Sequence, residues 1–583
     1  MNTIDLRAII ESKNSNYFDR YPSFISNMIL TVLKKLIRLD EINNFLEKHA
    51  DKKGIDFVDT LFEHIDFGYL LSNIDREKIP ADGKLICVAN HPLGALDGLA
   101  IMKAISEIRR DVKIVANDVL MNIENLRDVF LPYDLYSKKV QRRQVENIRK
   151  SLSNEEAIIF FPAAEVSRLS LRGIHDRKWM NGPVYFAQKY QAPILPIYVK
   201  ARNSAIFYLT SFFSHKISMF MLAREILRKR NESIRLNIGD PIPSHVIKNT
   251  LVKTRYQTKL LRRHVYRTGK QKSGIFTTEK TIIHPVDRKL LKMELSNSKL
   301  LTTTSDGKKI YLVVYDTGPN IVREIARLRE VTFRKVGEGT GMKYDFDEYD
   351  KYYKHIVLWD EEALEIVGSY RLGLSREIIE NKGFDGLYNA SLFSFSESFK
   401  KQMKQSVELG RSFIQQKYWK SYALDYLWQG IGVFLHQNED VKYLFGAVSI
   451  SDNYTEDAKR LIIYFYRKWY GLDGQAFSNN RFIFTKQAEK ELSQIFNNSS
   501  IEEDYRVLKS TLKNYGYSIP VLFKKYSELC EQDGVRFLDF GVDEDFSNCV
   551  DGLVFLELEK LKQSKRKRYF PAAQKPIEAG QEI

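Results

Sequence analysis

His91 and Asp97 are separated by five residues, Pro92 to Leu96, just past the apolar run Lys84 to Ala89. A neutral imidazole can take a proton from an attacking hydroxyl. A nearby carboxylate holds the ring and stabilises the imidazolium, and together they supply what acyl transfer to an alcohol needs. The apolar run predicts a strand, stopped by Asn90, His91 and Pro92, and Leu99 to Ile105 predicts a helix. His91 would then stand at the carboxyl end of a strand and Asp97 near a helix start, on the edge where open α/β sheets bind ligands. A purely structural His–Asp pair is the competing reading, and the two residues alone do not separate the two.

Further strands must hold that edge. Ala157 to Phe161 reads as one and runs into Pro162-Ala163-Ala164-Glu165-Val166-Ser167-Arg168. Ala192-Pro193-Ile194-Leu195-Pro196-Ile197-Tyr198 reads as another, and Val112 to Ala116 as a third. Strands alternating with helical stretches, such as Lys138 to Lys150 and Val184 to Ala187, indicate an α/β fold. On these blocks, residues 80–247 resemble the glycerolipid acyltransferases, the lysophosphatidic acid acyltransferase family, and most of all their ornithine-lipid branch. The resemblance implies an α/β acyltransferase domain with His91 and Asp97 as catalytic residues, and Glu165, Ser167 and Arg168 as substrate-binding. Two spacings depart from the family. It has four residues between His and Asp, and its glutamate follows the proline directly, where this chain has Ala163. Gly94 can absorb the extra residue, because glycine tolerates unusual backbone angles.

With 583 residues the chain holds two or more domains, and 44% hydrophobic and 12% aromatic residues are globular values. Cys87, Cys530 and Cys549 are too scattered for a metal site or a disulfide framework, which favours a reducing cytoplasm. Met1 to Lys13 lacks a signal peptide's order, and no apolar run reaches the ~20 residues of a membrane span. The net charge of +16 suits an anionic partner. With no zinc-finger spacing and no aromatic RNA-binding block, the expected partners are a membrane lipid surface or an acidic carrier protein, not nucleic acid.

Ile25, Met28, Ile29, Val32, Leu33 and Leu36 form a helical stripe in a lead-in over 1–79, read either as core-packed or as lying in the membrane interface. Residues 205–222 crowd aromatics beside Arg224, Arg228, Lys229 and Arg230, and admit the same two readings. Residues 248–285, rich in Lys and Arg, read as an interdomain linker, and 561–583 as a basic tail.

In the second half, Asp306-Gly307 between β-prone runs predicts a hairpin, and His355 to Trp359 with Ile366 to Leu372 a second. Helices are expected at Ile321 to Phe333 and Ala423 to Leu435, and strands at Val407 to Phe413 and Tyr443 to Ile450. Arg329 with Phe333, the acidic set Asp345, Asp347 and Asp350, Gly368-Ser369-Tyr370-Arg371, and Glu408-Leu409-Gly410-Arg411 stand in that order. Over 286–560 this series resembles a GNAT-type acyltransferase, more narrowly the ornithine-lipid N-acyltransferases and acyl-homoserine-lactone synthases. It implies an α+β fold. An amine must lose a proton to attack a thioester, so a carboxylate serves as base, Glu408 first and Asp347 second. Arg371 or Arg411 would grip the carboxylate of an amino-acid substrate. Gln429-Gly430-Ile431-Gly432 is at best a relic of the GNAT pyrophosphate loop. That favours acyl carrier protein over free coenzyme A as donor, with no resident cofactor or metal.

The two resemblances together imply a bifunctional aminolipid synthase. The second half would N-acylate an amino acid, ornithine ahead of glycine, with a 3-hydroxyacyl group, and the first half would esterify that hydroxyl. The enzyme would sit in the cytoplasm, on the inner face of the bacterial cell membrane. Two alternatives stand beside this: a lysophospholipid acyltransferase with a degenerate second domain, and a basic membrane scaffold.

Overall fold

The computed structural model describes residues 3–13, 22–133, 138–170, 173–213, 222, 224–248, 252–544, 546 and 548–570. The chain divides into two compact units, Met1–Thr281 and Ile282–Ile583.

In the first unit the strands are β1 (Gly68–Leu70), β2 (Leu85–Ala89), β3 (Val112–Ala116), β4 (Phe130–Pro132), β5 (Ala157–Phe160), β6 (Arg168–Ser170), β7 (Gly173–His175), β8 (Ile194–Lys200) and β9 (Ser233–Ile238). Seven of them make one sheet, ordered β1-β9-β8-β2-β5-β3-β4. Its pairings are parallel except β8 with β9. The central strands read as unbroken apolar runs because both faces are covered. Along β2, Leu85, Cys87 and Ala89 enter the core shared with the helix Ala95–Ser106. Ile86 and Val88 enter the opposite core with Ile148, Leu152, Val184 and Leu261. A sheet clad on both sides leaves its strand ends for chemistry.

The basic stretch expected as a linker is folded into this unit. Thr254–Thr268 is a helix whose Gln257, Thr258, Leu261, His264 and Val265 are buried. The lead-in divides between its two expected readings. On the helix Ser23–Ile37, Ser26, Leu30 and Ile37 are buried, while Phe24, Met28 and Val32 are 69%, 56% and 60% exposed. Part of the aromatic stretch 205–222, and the tail beyond 570, lie outside the described residues.

The second unit holds β10 (Lys299–Thr303), β11 (Lys309–Val314), β12 (Lys354–Asp360), β13 (Glu365–Leu374), β14 (Phe393–Phe395), β15 (Ser406–Ile414), β16 (Tyr443–Ile450), β17 (Ala476–Ser478), β18 (Val535–Asp543) and β19 (Cys549–Glu557). An eight-stranded sheet runs β10-β11-β12-β13-β15-β16-β19-β18. Its pairings are antiparallel except β15 with β16. The helix Pro319–Val336 packs one core, and Ala423–His436 and Glu456–Tyr470 pack another. This is an α+β arrangement. The parallel pair joins only 406–408 to 443–445. Beyond that the two strands carry on without further pairing to each other.

Gly430 and Gly432 lie inside the helix Ala423–His436, not in a phosphate loop. A Cβ on Gly432 would stand 1.8 Å from the carbonyl oxygen of Tyr569, so glycine here permits a close backbone approach. Tyr569 itself is 0% exposed. The start of the expected basic tail is therefore a packed helix, Gln563–Tyr569.

Candidate active sites

At the carboxyl end of β2, Asn90 is tied to β8. Its amide donates to the Val199 carbonyl at 2.9 Å and its oxygen accepts from the Val199 N–H at 2.7 Å. Gly94 has φ 93° and starts the helix Ala95–Ser106. That turn brings Asp97 back under His91. Asp97 Oδ2 lies 3.2 Å from His91 Nδ1 and accepts the Leu93 and Gly94 amides at 2.8 and 3.2 Å. Full burial pushes the Asp97 carboxyl up, against the downward pull of His91 and the two amides. The imidazole lies 4.1 Å from the Phe161 ring, and 18% of the side chain is exposed. With Nδ1 facing Asp97, Nε2 is the nitrogen left to meet a substrate proton.

The three residues expected to bind substrate divide. Glu165 is partly exposed, with Arg168 Nε and Arg177 Nη1 at 3.4 and 3.6 Å. Burial lowers Arg168, which Glu165 opposes. Ser167 does not fit a substrate-binding role. It is 2% exposed; its N–H donates to the His91 carbonyl at 2.7 Å and its hydroxyl to Asp176. Ser167 therefore holds the histidine loop. Asp176 was not singled out from sequence.

In the second unit the ordered series of charges becomes a buried network. Arg329, 0% exposed, grips Asp350 with both terminal nitrogens at 2.9 and 2.6 Å. Arg371 reaches Asp347 at 2.6 Å and Asp350 at 3.2 Å. Burial alone would raise Asp350, but Arg329 and Arg371 outweigh it and hold the carboxyl well below its usual range. Arg371 is 1% exposed and faces the rings of Tyr349, Tyr353 and Tyr388, so it is structural and not a grip for substrate. Asp347 caps the short helix 348–351 and carries Arg371. Arg411 is the looser guanidinium, at 3.6 Å from Asp345 and 3.7 Å from Asp347, with Tyr388 and Phe546 against it.

Glu408 is corrected most. It is 1% exposed. Its Oε1 accepts the backbone and side-chain amides of Asn389, and its Oε2 accepts the Tyr353 hydroxyl and the Tyr388 N–H. All four lone-pair positions are taken, so no oxygen remains for an acceptor's proton. Burial pushes its carboxyl up against those bonds. Glu408→Ala is expected to destabilise this unit by about 3–5 kcal/mol, because the Tyr353 hydroxyl and both Asn389 amides lose a buried partner, while the Tyr388 N–H keeps the Tyr353 hydroxyl. Urea unfolding followed by tryptophan fluorescence measures it. Unchanged stability with lost N-acylation would restore Glu408 as base.

A different carboxylate sits past the point where β15 and β16 stop pairing. Asp551, on β19 opposite Ser449 of β16, is 4% exposed and accepts the Ser449 hydroxyl at 2.6 Å. Burial lifts it to about 7, with Ser449 opposing, Asp543 adding and Arg411 opposing. Partly buried Glu338 is lifted to about 8 by burial and by Asp551. The signal was one carboxylate inside the apolar strand Cys549-Val550-Asp551-Gly552-Leu553-Val554.

Residues 12–272 match the acyltransferase family, and residues 328–429 match the acetyltransferase (GNAT) domain. The protein is thus an enzyme that transfers acyl groups, with a PlsC-like acyltransferase domain followed by a GNAT domain. A glycine N(alpha)-acyltransferase of Bacteroides thetaiotaomicron is 32% identical over 301 residues, 49% of this chain and 89% of that protein. The chain belongs to the glycine N(alpha)-acyltransferase family. A lyso-glycine lipid O-acyltransferase of Phocaeicola vulgatus is 29% identical over 247 residues, 41% of this chain and 86% of that protein. The solved 1-acyl-sn-glycerophosphate acyltransferase PlsC of Thermotoga maritima aligns with 43% of this chain and 98% of that one, at 16% identity and TM-score 0.24.

Proposed function

We propose that this chain makes a diacylated glycine lipid. The second unit N-acylates glycine with a 3-hydroxyacyl group, and the first unit esterifies the new hydroxyl with a second acyl chain. The observation that carries this reading is that one chain matches relatives named for both acylations of one lipid. Those names put glycine ahead of ornithine.

In the first unit the lipid hydroxyl attacks the thioester carbonyl while His91 Nε2 takes its proton. Asp97 holds the imidazolium, which returns that proton to the departing thiolate. In the second unit Arg411 receives the glycine carboxylate, and Asp551 takes the proton that frees the amine. The amine forms the amide bond as the C–S bond breaks, and the second proton lost from the nitrogen goes to the departing thiolate, which leaves as the thiol. A carboxyl titrating near neutrality is suited to that transfer, and Asp551 takes over the role expected of Glu408.

Acyl carrier protein is the proposed donor. Two features support it: the +16 charge, which favours an acidic partner, and a helix where a pyrophosphate loop would stand. Among the described residues no helix is long and apolar enough to cross a membrane. The exposed stripe of Phe24, Met28 and Val32, with Lys34 and Lys35 on the same helix, supports peripheral attachment to an anionic inner leaflet.

Expression in a bacterial host lacking aminolipids, fed isotope-labelled glycine or labelled ornithine, tests the function by lipid mass spectrometry. Label from glycine in a diacyl lipid is expected. Label from ornithine alone, or no diacyl product, overturns it.

A further inference from the structure

We propose that Asp176 is a positioning residue for O-acylation, clamping the main chain of His91 so that its imidazole stays in line with Asp97. This rests on the reading of His91 as the base of that step.

Asp176 follows β7 and is 4% exposed. Its Oδ1 accepts the His91 N–H at 3.3 Å and the Ser167 hydroxyl. The Ser167 N–H in turn donates to the His91 carbonyl at 2.7 Å. Both main-chain polar groups of His91 are thus held in one closed ring of hydrogen bonds. The second oxygen, Oδ2, accepts the Trp179 indole N–H at 2.9 Å. Asp176 is itself fixed at both ends. Its N–H donates to the Tyr266 hydroxyl at 3.0 Å, and its carbonyl accepts from Arg262 Nη2 at 2.9 Å. Arg262 lies over the Tyr266 ring at 5.0 Å, and both residues belong to the helix Thr254–Thr268. Asp176 therefore ties three segments: its carboxylate holds the exit of β2 and the Pro162–Arg168 turn, and its main chain is anchored to this helix. His91 alone projects toward substrate. The others set where its ring stands, and a base must be placed to within a fraction of an ångström.

The substitution Asp176→Asn tests the clamp. Asparagine keeps one oxygen for His91 and Ser167 but turns an N–H toward the Trp179 N–H, so two donors face each other. Asp176→Asn/Trp179→Phe removes the opposing donor. The full-length chain is assayed with N-(3-hydroxyhexadecanoyl)glycine and a hexadecanoyl thioester, and its N-acylation of glycine serves as internal control. Asp176→Asn is expected to lower kcat for O-acylation by about 10²-fold with KM within about 3-fold. The double variant is expected to recover most of that loss, with N-acylation unchanged throughout. An unchanged kcat overturns the proposal. So does a loss that tracks the unfolded fraction of the first unit by circular dichroism, or a folded double variant that recovers nothing. His91→Ala separates the two claims: if it keeps O-acylation the reading of the site fails, and if it loses O-acylation while Asp176→Asn is unaffected only the clamp fails.

Discussion

Replacing His91 with alanine is expected to stop O-acylation while N-acylglycine accumulates. The loss is about 10³–10⁴-fold, the contribution of a base working with its orienting carboxylate. The geometry behind the figure is the 3.2 Å approach of Nδ1 to Asp97 and an outer ring nitrogen left free of it. N-acylation in the same chain is expected to continue at the wild-type rate. Thin-layer separation of lipids from cells given labelled glycine reads both outcomes at once. Undiminished diacyl lipid would remove His91 from the reaction.

Replacing Asp551 with asparagine is expected to act in opposite directions on activity and stability. N-acylation falls by about 10²–10⁴-fold, because the amine loses its proton acceptor. The limb of kcat/KM near pH 7 disappears with it. Stability follows from the direction of the shift. Burial holds Asp551 at about 7, above an ordinary 3.8. A group raised in this way stabilises the fold while protonated, and that contribution is lost as pH climbs from about 4 through 7. Asparagine does not titrate and keeps an acceptor for Ser449. Near pH 4 the two proteins should unfold alike, and above pH 7 the variant should be more stable, by as much as ~4 kcal/mol at ~1.4 kcal/mol per unit. Glu338 titrates nearby, so the transition belongs to the pair. Thermal unfolding at pH 5 and pH 8.5 decides. A variant less stable at pH 8.5, or one that still acylates glycine, removes Asp551 as base.

The elements that carry His91 were legible because of how they are buried. β2, β5 and β8 face cores on both sides, and that prints an unbroken apolar run into the sequence. In the second unit the hairpins β10–β11 and β12–β13 announced themselves through their turns, while β18–β19 did not. The helix Thr254–Thr268 was hidden by its own chemistry. Its buried face follows helical spacing, but Gln257, Thr258 and His264 sit where apolar residues would mark it, and lysines and arginines cover the rest. Glu408 was found as a position and misread as a role. Sequence gives the residue type, while only the surrounding donors reveal that its oxygens are all occupied. Asp551 lay in a stretch with no motif, and only the register with Ser449 brings it beside the parting strands. Asp176 escaped because a carboxylate that organises main chain needs no recognisable spacing.

The helix that carries Arg262 and Tyr266 also decides where this enzyme can be cut into working halves. The natural seam falls between Thr281 and Ile282. A truncation at Lys248 would discard the scaffold behind Asp176, take Leu261 and Val265 out of the core and uncover the apolar residues packed against them. Such a fragment would keep every residue of the His–Asp pair and lose the brace that aims it.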